Sequence, residues 1–346
     1  MKTHLKSFYI IVLAAFVLFS SCKKEKNSLY SISISPNAMV GTPAEVFSIG
    51  QIKMFQASNN FISLLIADIA QDTSIHNFAI APTYLLNNLL IDSTLLSWQE
   101  SFVKHYSLTS LSQTQRKKTE NDFLNAVKDI DSSIIINSDI VFENDETIKI
   151  SQSFEKILMY EDNAPNDIDN IFTTSENQKT RLDFITISSD IRTYITDMEQ
   201  TIELPIGNGN YMLMLIRPLN QSLRQYAKNF TEEKYFSLIN NMQVRKINVS
   251  FPLINIKDST IIPLPSYHEG DTTVTFPKTL SILYSFSLQK ASQADLNTAV
   301  THNRNKNILS NNTSEPIKFS SPFLFIIRGK SSNWIMFCGA FCKPLE

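Results

Sequence analysis

Glycine is scarce in this chain of 346 residues, which has only seven, at positions 41, 50, 207, 209, 270, 329 and 339. That is about a third of the ordinary share of ~7%. These positions form no G-x-G-x-x-G and no G-x-x-x-x-G-K-[ST], so a glycine loop cradling phosphate is excluded. A basic surplus is lacking too. With 31 Lys and Arg against 33 Asp and Glu, the net charge is -2, and nothing drives counterion release from nucleic acid. The five histidines, His4, His76, His105, His268 and His302, are scattered, with no H-E-x-x-H and no Cys/His cluster. No metal site and no cofactor is expected.

Nucleophile motifs are also missing. No Gly-x-Ser-x-Gly occurs, and Ser101 to Lys104 and Ser153 to Lys156 match Ser-x-x-Lys only as chance allows in a Ser-rich, Lys-rich chain. Asp129 with Asp131 and Glu232 with Glu233 have the character of solvated surface or helix-start charges rather than an acid/base couple. The chain reads as not an enzyme, with no catalytic residue.

What is present begins with an address. Lys2 and Lys6 precede an apolar core from Phe8 to Phe19, followed by Ser20 and Ser21. This is the pattern of a secretory signal, too short to span a bilayer. Leu18-Phe19-Ser20-Ser21-Cys22 resembles a bacterial lipobox, with Phe19 a departure from the usual Leu. The resemblance implies lipidation at Cys22. Residues 1–21 are expected to be a lipoprotein signal peptide and residues 22–44 a tether, opened by Lys23-Lys24-Glu25-Lys26-Asn27-Ser28. The expected location is the bacterial cell envelope, at the outer membrane or cell surface. Cys338 and Cys342, four apart, lie about 13 Å from one another on an extended strand, too far for a disulfide, and read as buried hydrophobes.

At 43% hydrophobic and 18% charged, the remainder is a globular chain. No linker, repeat or charge block divides it, so residues 45–346 are expected to form one domain. Ser58-Asn59-Asn60 looks like the cap of a helix carrying Phe61, Leu64, Leu65 and Ile69. A strand from Phe78 ends at Pro82, and Thr83 is a candidate cap for a second apolar helix through Leu85, Leu86, Leu89 and Leu90. From Trp98 to Ile191 the pattern is hard to read. Phe123–Ile130 looks helical, Ser133–Phe142 looks like a strand and Ile150–Met159 like a helix. Glu199–Pro205, a turn at Gly207–Asn210 and the apolar run Tyr211–Ile216 form a hairpin. Thr231-Glu232-Glu233 starts a helix with acids where its dipole favours them. Val244–Ile256 reads as a strand pair kinked at Pro252. A second, wholly apolar hairpin runs from Pro322 to Gly339.

The order of these pieces resembles the serpin family. The family's C-terminal signature is similar to Phe319, Pro322-Phe323-Leu324-Phe325-Ile326-Ile327-Arg328, Ile335-Met336-Phe337-Cys338-Gly339-Ala340 and Pro344. Ala340 replaces the usual arginine, and the gap from Phe319 to Pro322 is about two residues short. Asn77-Phe78-Ala79-Ile80-Ala81-Pro82 resembles the family's strand into the second helix, with Ala81 and Tyr84 in place of the shutter serines. Glu203-Leu204-Pro205, Met212–Pro218 and Val249-Ser250-Phe251-Pro252 match further core strands. The resemblance spans about residues 45 to 346 and implies an α+β fold: N-terminal helices on a large mixed or antiparallel sheet, with a C-terminal β-hairpin in a second sheet.

It also implies an inhibitor that offers a loop to a protease and, once cut, inserts that loop into its large sheet. Insertion needs a hinge of small residues, usually with glycine. Ala294-Asp295-Leu296 resembles the segment preceding that hinge, which leaves Asn297–Lys318, 22 residues with no glycine and one alanine. At ~3.3 Å per residue this interval is too short for a central strand, a hinge and a bait loop together. The expectation is a monomeric binding protein or reversible inhibitor, with Thr301, His302, Asn303, Arg304, Asn305 and Lys306 as the remnant of an exposed reactive loop. The alternative is a true suicide inhibitor of a serine or cysteine protease. The expected partners are a protease or other protein, and a membrane through the lipid at Cys22.

Overall fold

The structure, a computed structural model, describes residues 49–71, 77–91, 135–144, 147–158, 160, 162, 170–263, 268–269, 272–273, 279–292 and 317–344. Its helices are α1 (Ile49–Ile69), α2 (Pro82–Ile91), α3 (Leu223–Lys228) and α4 (Glu232–Asn241). The strands begin with β1 (Phe78–Ile80), β2 (Ile135–Asn144), β3 (Thr147–Leu158), β4 (Ile171–Thr173) and β5 (Lys179–Arg181). Next come β6 (Phe184–Ile195), β7 (Glu199–Ile206), β8 (Tyr211–Pro218), β9 (Gln243–Pro252) and β10 (Asn255–Pro263). The series ends with β11 (His268–Glu269), β12 (Thr272–Thr273), β13 (Thr279–Lys290), β14 (Ile317–Lys318), β15 (Phe323–Gly329) and β16 (Ile335–Phe341).

An eight-stranded sheet has the order β1-β16-β15-β8-β7-β6-β9-β14, and a four-stranded sheet the order β10-β13-β3-β2. The apolar run of β8 lies between β15 and β7, where both of its faces are buried. The hairpin that feeds it turns through Gly207 (φ 59) and Gly209 (φ 85), backbone angles that favour glycine. The C-terminal hairpin β15–β16 is buried throughout. Gly339 lets β16 lie against β1, because a Cβ there would overlap the Phe325 ring and the Phe78 carbonyl.

Charge is buried where it is paired. Arg328, 1% exposed, donates from Nε to Glu203 Oε1 at 2.5 Å. Its Nη1 donates to the Gly329 and Lys330 carbonyls and to Asn333 Oδ1. Arg192 approaches the other Glu203 oxygen. One carboxylate thus ties the β15–β16 turn to β6 and β7.

Several sequence expectations change. Ile150–Met159 is not a helix but most of strand β3, whose even-numbered residues from Ile148 to Leu158 point inward with period two. Ser58 lies inside α1 rather than capping it, and Thr83 lies inside α2. Their hydroxyls bond each other at 2.6 Å, and Thr83 Oγ1 also accepts from Trp334 Nε1. Tertiary partners have taken these polar groups from the helix ends. The Val244–Ile256 pair is divided between two sheets, β9 ending at Pro252 and β10 opening at Asn255. By contrast, β2 covers most of the expected Ser133–Phe142 strand, and the hairpins and the Thr231 cap of α4 stand as expected. Phe123–Ile130, Cys22 and residues 301–306 lie outside the described residues. Cys338 and Cys342 are buried and free, with burial holding both thiols well above their ordinary range.

Candidate functional site

The four-stranded sheet contains one parallel seam. β13 runs alongside β3 in the same direction over twelve register pairs, from Thr279 with Thr147 to Lys290 with Leu158. Their outer neighbours, β10 and β2, pair antiparallel. β3 and β13 form a half-buried sheet because their inward faces alternate with period two: Ile148, Ile150 and Phe154 face Leu280, Ile282 and Phe286, and Leu288 and Leu158 extend the apolar faces beyond them.

Two devices hold the seam from within. Gln152 and Tyr284 are register partners. Gln152 Oε1 accepts from Ala81 N at 2.9 Å and its Nε2 donates to Ala81 O at 3.1 Å, while Tyr284 donates its phenol proton to Asn77 O at 2.6 Å. Both bonds reach the strand that leads into α2. Burial pushes the Tyr284 phenol far up, with Asp258 adding to the shift, so it stays protonated as a donor. Two positions along, Phe154 and Phe286 stack across the seam with ring centres 4.9 Å apart and an interplanar angle of 11°. Beneath them lie Phe337 and Phe325. The outer face over the same seam is a shallow depression of about 470 Å³ floored by small residues such as Ser151, Ser153 and Ser285. Leu283 stands in it, 43% exposed.

Where β13 stops decides how the following segment is read. Lys290 is its last residue, tied to Asp162 at 2.5 Å, and Ala291 N donates to Leu158 O at 3.2 Å. Ala294-Asp295-Leu296 therefore follows the strand that pairs with β3 and does not precede it. The connection to β14 runs from 291 to 316, which is 26 residues. β13 precedes the 22-residue interval Asn297–Lys318 read from sequence, so that interval need not hold the strand that pairs with β3. At ~3.3 Å per residue the connection reaches about 86 Å.

The sequence reading missed Gln152, Tyr284, Phe154 and Phe286. The signal was there, as period-two alternation in Leu280, Ile282, Tyr284, Phe286 and Leu288. In β3 the same residues also fit a helical i, i+4 spacing, and a buried Gln152 interrupts the apolar face. Ala81 and Tyr84 hold the shutter-like positions at the head of α2. Ala81 takes part through its backbone, and Tyr84 is buried with its phenol pushed far up. Among the described residues no three metal-ligating side chains cluster.

No family model matches the chain, and no curated protein matches it. Solved structures do. Native protease nexin-1 with heparin aligns over 85% of this chain and 100% of its own, at 13% identity and TM-score 0.57. SRPN18 from Anopheles gambiae aligns over 85% and 99%, at 12% identity and TM-score 0.59. The chain has the serpin fold. The coverage is comparable with the span of about residues 45 to 346 over which the sequence motifs resemble that fold.

Proposed function

We propose that this chain is an inhibitor of serine- or cysteine-class proteases, anchored to a bacterial envelope through Cys22, with residues 291–316 as the bait segment. The observation that carries the reading is the closed parallel pairing of β3 with β13. The bait segment leaves at the end where both strands finish, so a strand folding back between them runs antiparallel to each and exchanges one ladder for two. Residues 292–300 have a sequence suited to that place. Ser292, Ala294, Leu296, Thr298 and Val300 alternate with Gln293, Asp295, Asn297 and Ala299, close to the period of a sheet with one buried face. Arg304 and Lys306, within the 301–306 stretch, suit a protease that cuts after basic residues.

One observation favours a second reading, reversible binding without trapping. No glycine lies between Gly270 and Gly329, so the bend out of β13 must be made by residues that resist left-handed backbone angles.

The test is to challenge residues 23–346 with a panel of serine and cysteine proteases. A covalent adduct that survives SDS, together with a large rise in melting temperature after cleavage, is the expected result. Cleavage with neither supports reversible binding, and failure of every protease to bind or cut removes both. For the anchor, Cys22→Ala is expected to move the protein from the detergent phase to the aqueous phase in Triton X-114 partition. An unchanged partition would count against lipidation.

A further inference from the structure

A second cavity, of about 500 Å³, lies away from the seam between the end of α1, α3, the β4–β5 hairpin and the end of β8. Its floor is apolar, formed by side chains such as Ile69, Phe78, Leu223, Ala227 and Ala340, each less than a tenth exposed. Apolar side chains facing a void forgo the contacts that a filled site would give them. At the mouth, Leu219 is 40% exposed beside Met198 at 54%, joined by a bond from Leu219 N to Met198 O at 2.8 Å.

The rim differs in kind. It carries the hydroxyls of Ser175, Ser222 and Ser321 and the amides of Asn177 and Gln221, and its two charges, Glu176 and Arg224, are of opposite sign. The walls are pinned independently of anything in the cavity. Thr173 N and Ser175 N donate to the carbonyls of Ser320 and Cys342 at 2.8 and 3.2 Å. Arg224 donates from Nε and Nη2 to the carbonyls of Ala70 and Gln71, at 2.8 and 2.7 Å. A pocket so held needs little reordering to accept a ligand, and its volume is within the range of small-molecule sites, about 300–1,000 Å³.

We propose that this cavity binds a small uncharged amphipathic molecule, its apolar body on the floor and a hydroxyl or amide group at the rim. An apolar floor selects the body, and a rim of neutral donors and acceptors with no net charge favours an uncharged head over either an anion or a cation.

The experiment uses the full chain and the neutral dye Nile red. Saturable binding at one site, with a blue shift, is expected. Ala227→Phe and Ser321→Phe fill the cavity and are expected to weaken binding by at least about tenfold, with far-UV spectra unchanged. Ser321 is only partly buried, so its variant serves if Ala227→Phe fails to fold. Leu283→Ser, on the depression over the seam, is expected to leave binding as it is. 1-Decanol should displace the dye at lower concentration than decanoate or decylammonium. The proposal is overturned by absence of saturable binding, by undiminished binding in a folded filled variant, by loss in Leu283→Ser alone, or by displacement by either charged decyl compound as readily as by decanol.

Discussion

Gln152 and Tyr284 face one another across the parallel seam and are both hydrogen-bonded to the backbone of one segment, Gln152 at Ala81 and Tyr284 at Asn77. Separating β3 from β13 must break at least one of these attachments. The pair is thus the polar latch of the seam, with the Phe154–Phe286 stack beside it as the apolar one.

Removing the latch should loosen the seam in graded steps. Tyr284→Phe loses one buried hydrogen bond and is expected to cost about 1 kcal/mol. Gln152→Leu takes the acceptor from the Ala81 N–H, while Ala81 O keeps its bond from Leu85 N, and is expected to cost more, about 2 kcal/mol. Denaturant titration measures both. Amide exchange should accelerate in β3 and β13 ahead of β8, whereas uniform acceleration throughout both sheets would argue against a local latch.

Phe286→Ala should be the most damaging single truncation at the seam. The ring packs on Phe154, Phe325 and Phe337, and losing a buried phenylalanine costs about 3–5 kcal/mol. Phe286→Leu keeps most of the volume and is expected to lose about half of that or less. Equal losses for the two would show that packing is not what the ring supplies.

At the β15–β16 turn, Arg328→Met leaves the buried Glu203 carboxylate with only one of its two arginine partners, Arg192. The expected cost is about 3–5 kcal/mol, read from thermal melts. The double variant Arg328→Met with Glu203→Leu should recover part of it, because the half-paired buried carboxylate is gone and the partly exposed Arg192 is left to solvent. A double variant no more stable than the single one would place the loss in packing.

Gly339→Ala should destabilise the protein by about 1–3 kcal/mol or more, since the added methyl meets both the Phe325 ring and the Phe78 carbonyl. Phe325→Leu in the same chain relieves only the first of these clashes and should restore little. Full restoration would assign the clash to the ring alone.

Glu232 supplies a pH dependence of opposite sign to most carboxylates. Burial, reinforced by Glu233, raises its pKa from 4.5 to about 7, despite its place in the first turn of α4, where the helix dipole favours negative charge. Because the folded value lies above the unfolded one, the contribution to stability is complete below about pH 4.5 and is lost as pH rises to about 7. Glu232→Gln is expected to flatten that part of the stability profile and to be more stable than the parent at pH 8. A profile that keeps its slope after the substitution would exclude Glu232 as the source.

How much was legible in the sequence varies by region for physical reasons. Where a strand is buried on both faces, as in β8, β15 and β16, an unbroken apolar run can be little else at that length, and these hairpins were readable. β3 was not, because Ile150, Phe154, Ile157 and Leu158 satisfy helical spacing as well as Ile148, Ile150, Phe154 and Leu158 satisfy strand alternation. Ser58 and Thr83 looked like caps because a hydroxyl before an apolar stripe usually is one. Here they bond one another and Trp334, 251 residues from Thr83, a partner no local window contains.

The scarcity of glycine, with the missing nucleophile and metal motifs, shows that the sequence carries no glycine-rich phosphate loop and none of those motifs. The two apolar hairpins and the order of elements determined the fold. Only the tertiary structure decided that β13 ends at Lys290 and runs parallel to β3, because strand pairing joins residues more than a hundred positions apart. That pairing places a full strand ahead of the connection to β14, which spans 26 residues, where the local spacing alone had assigned 22.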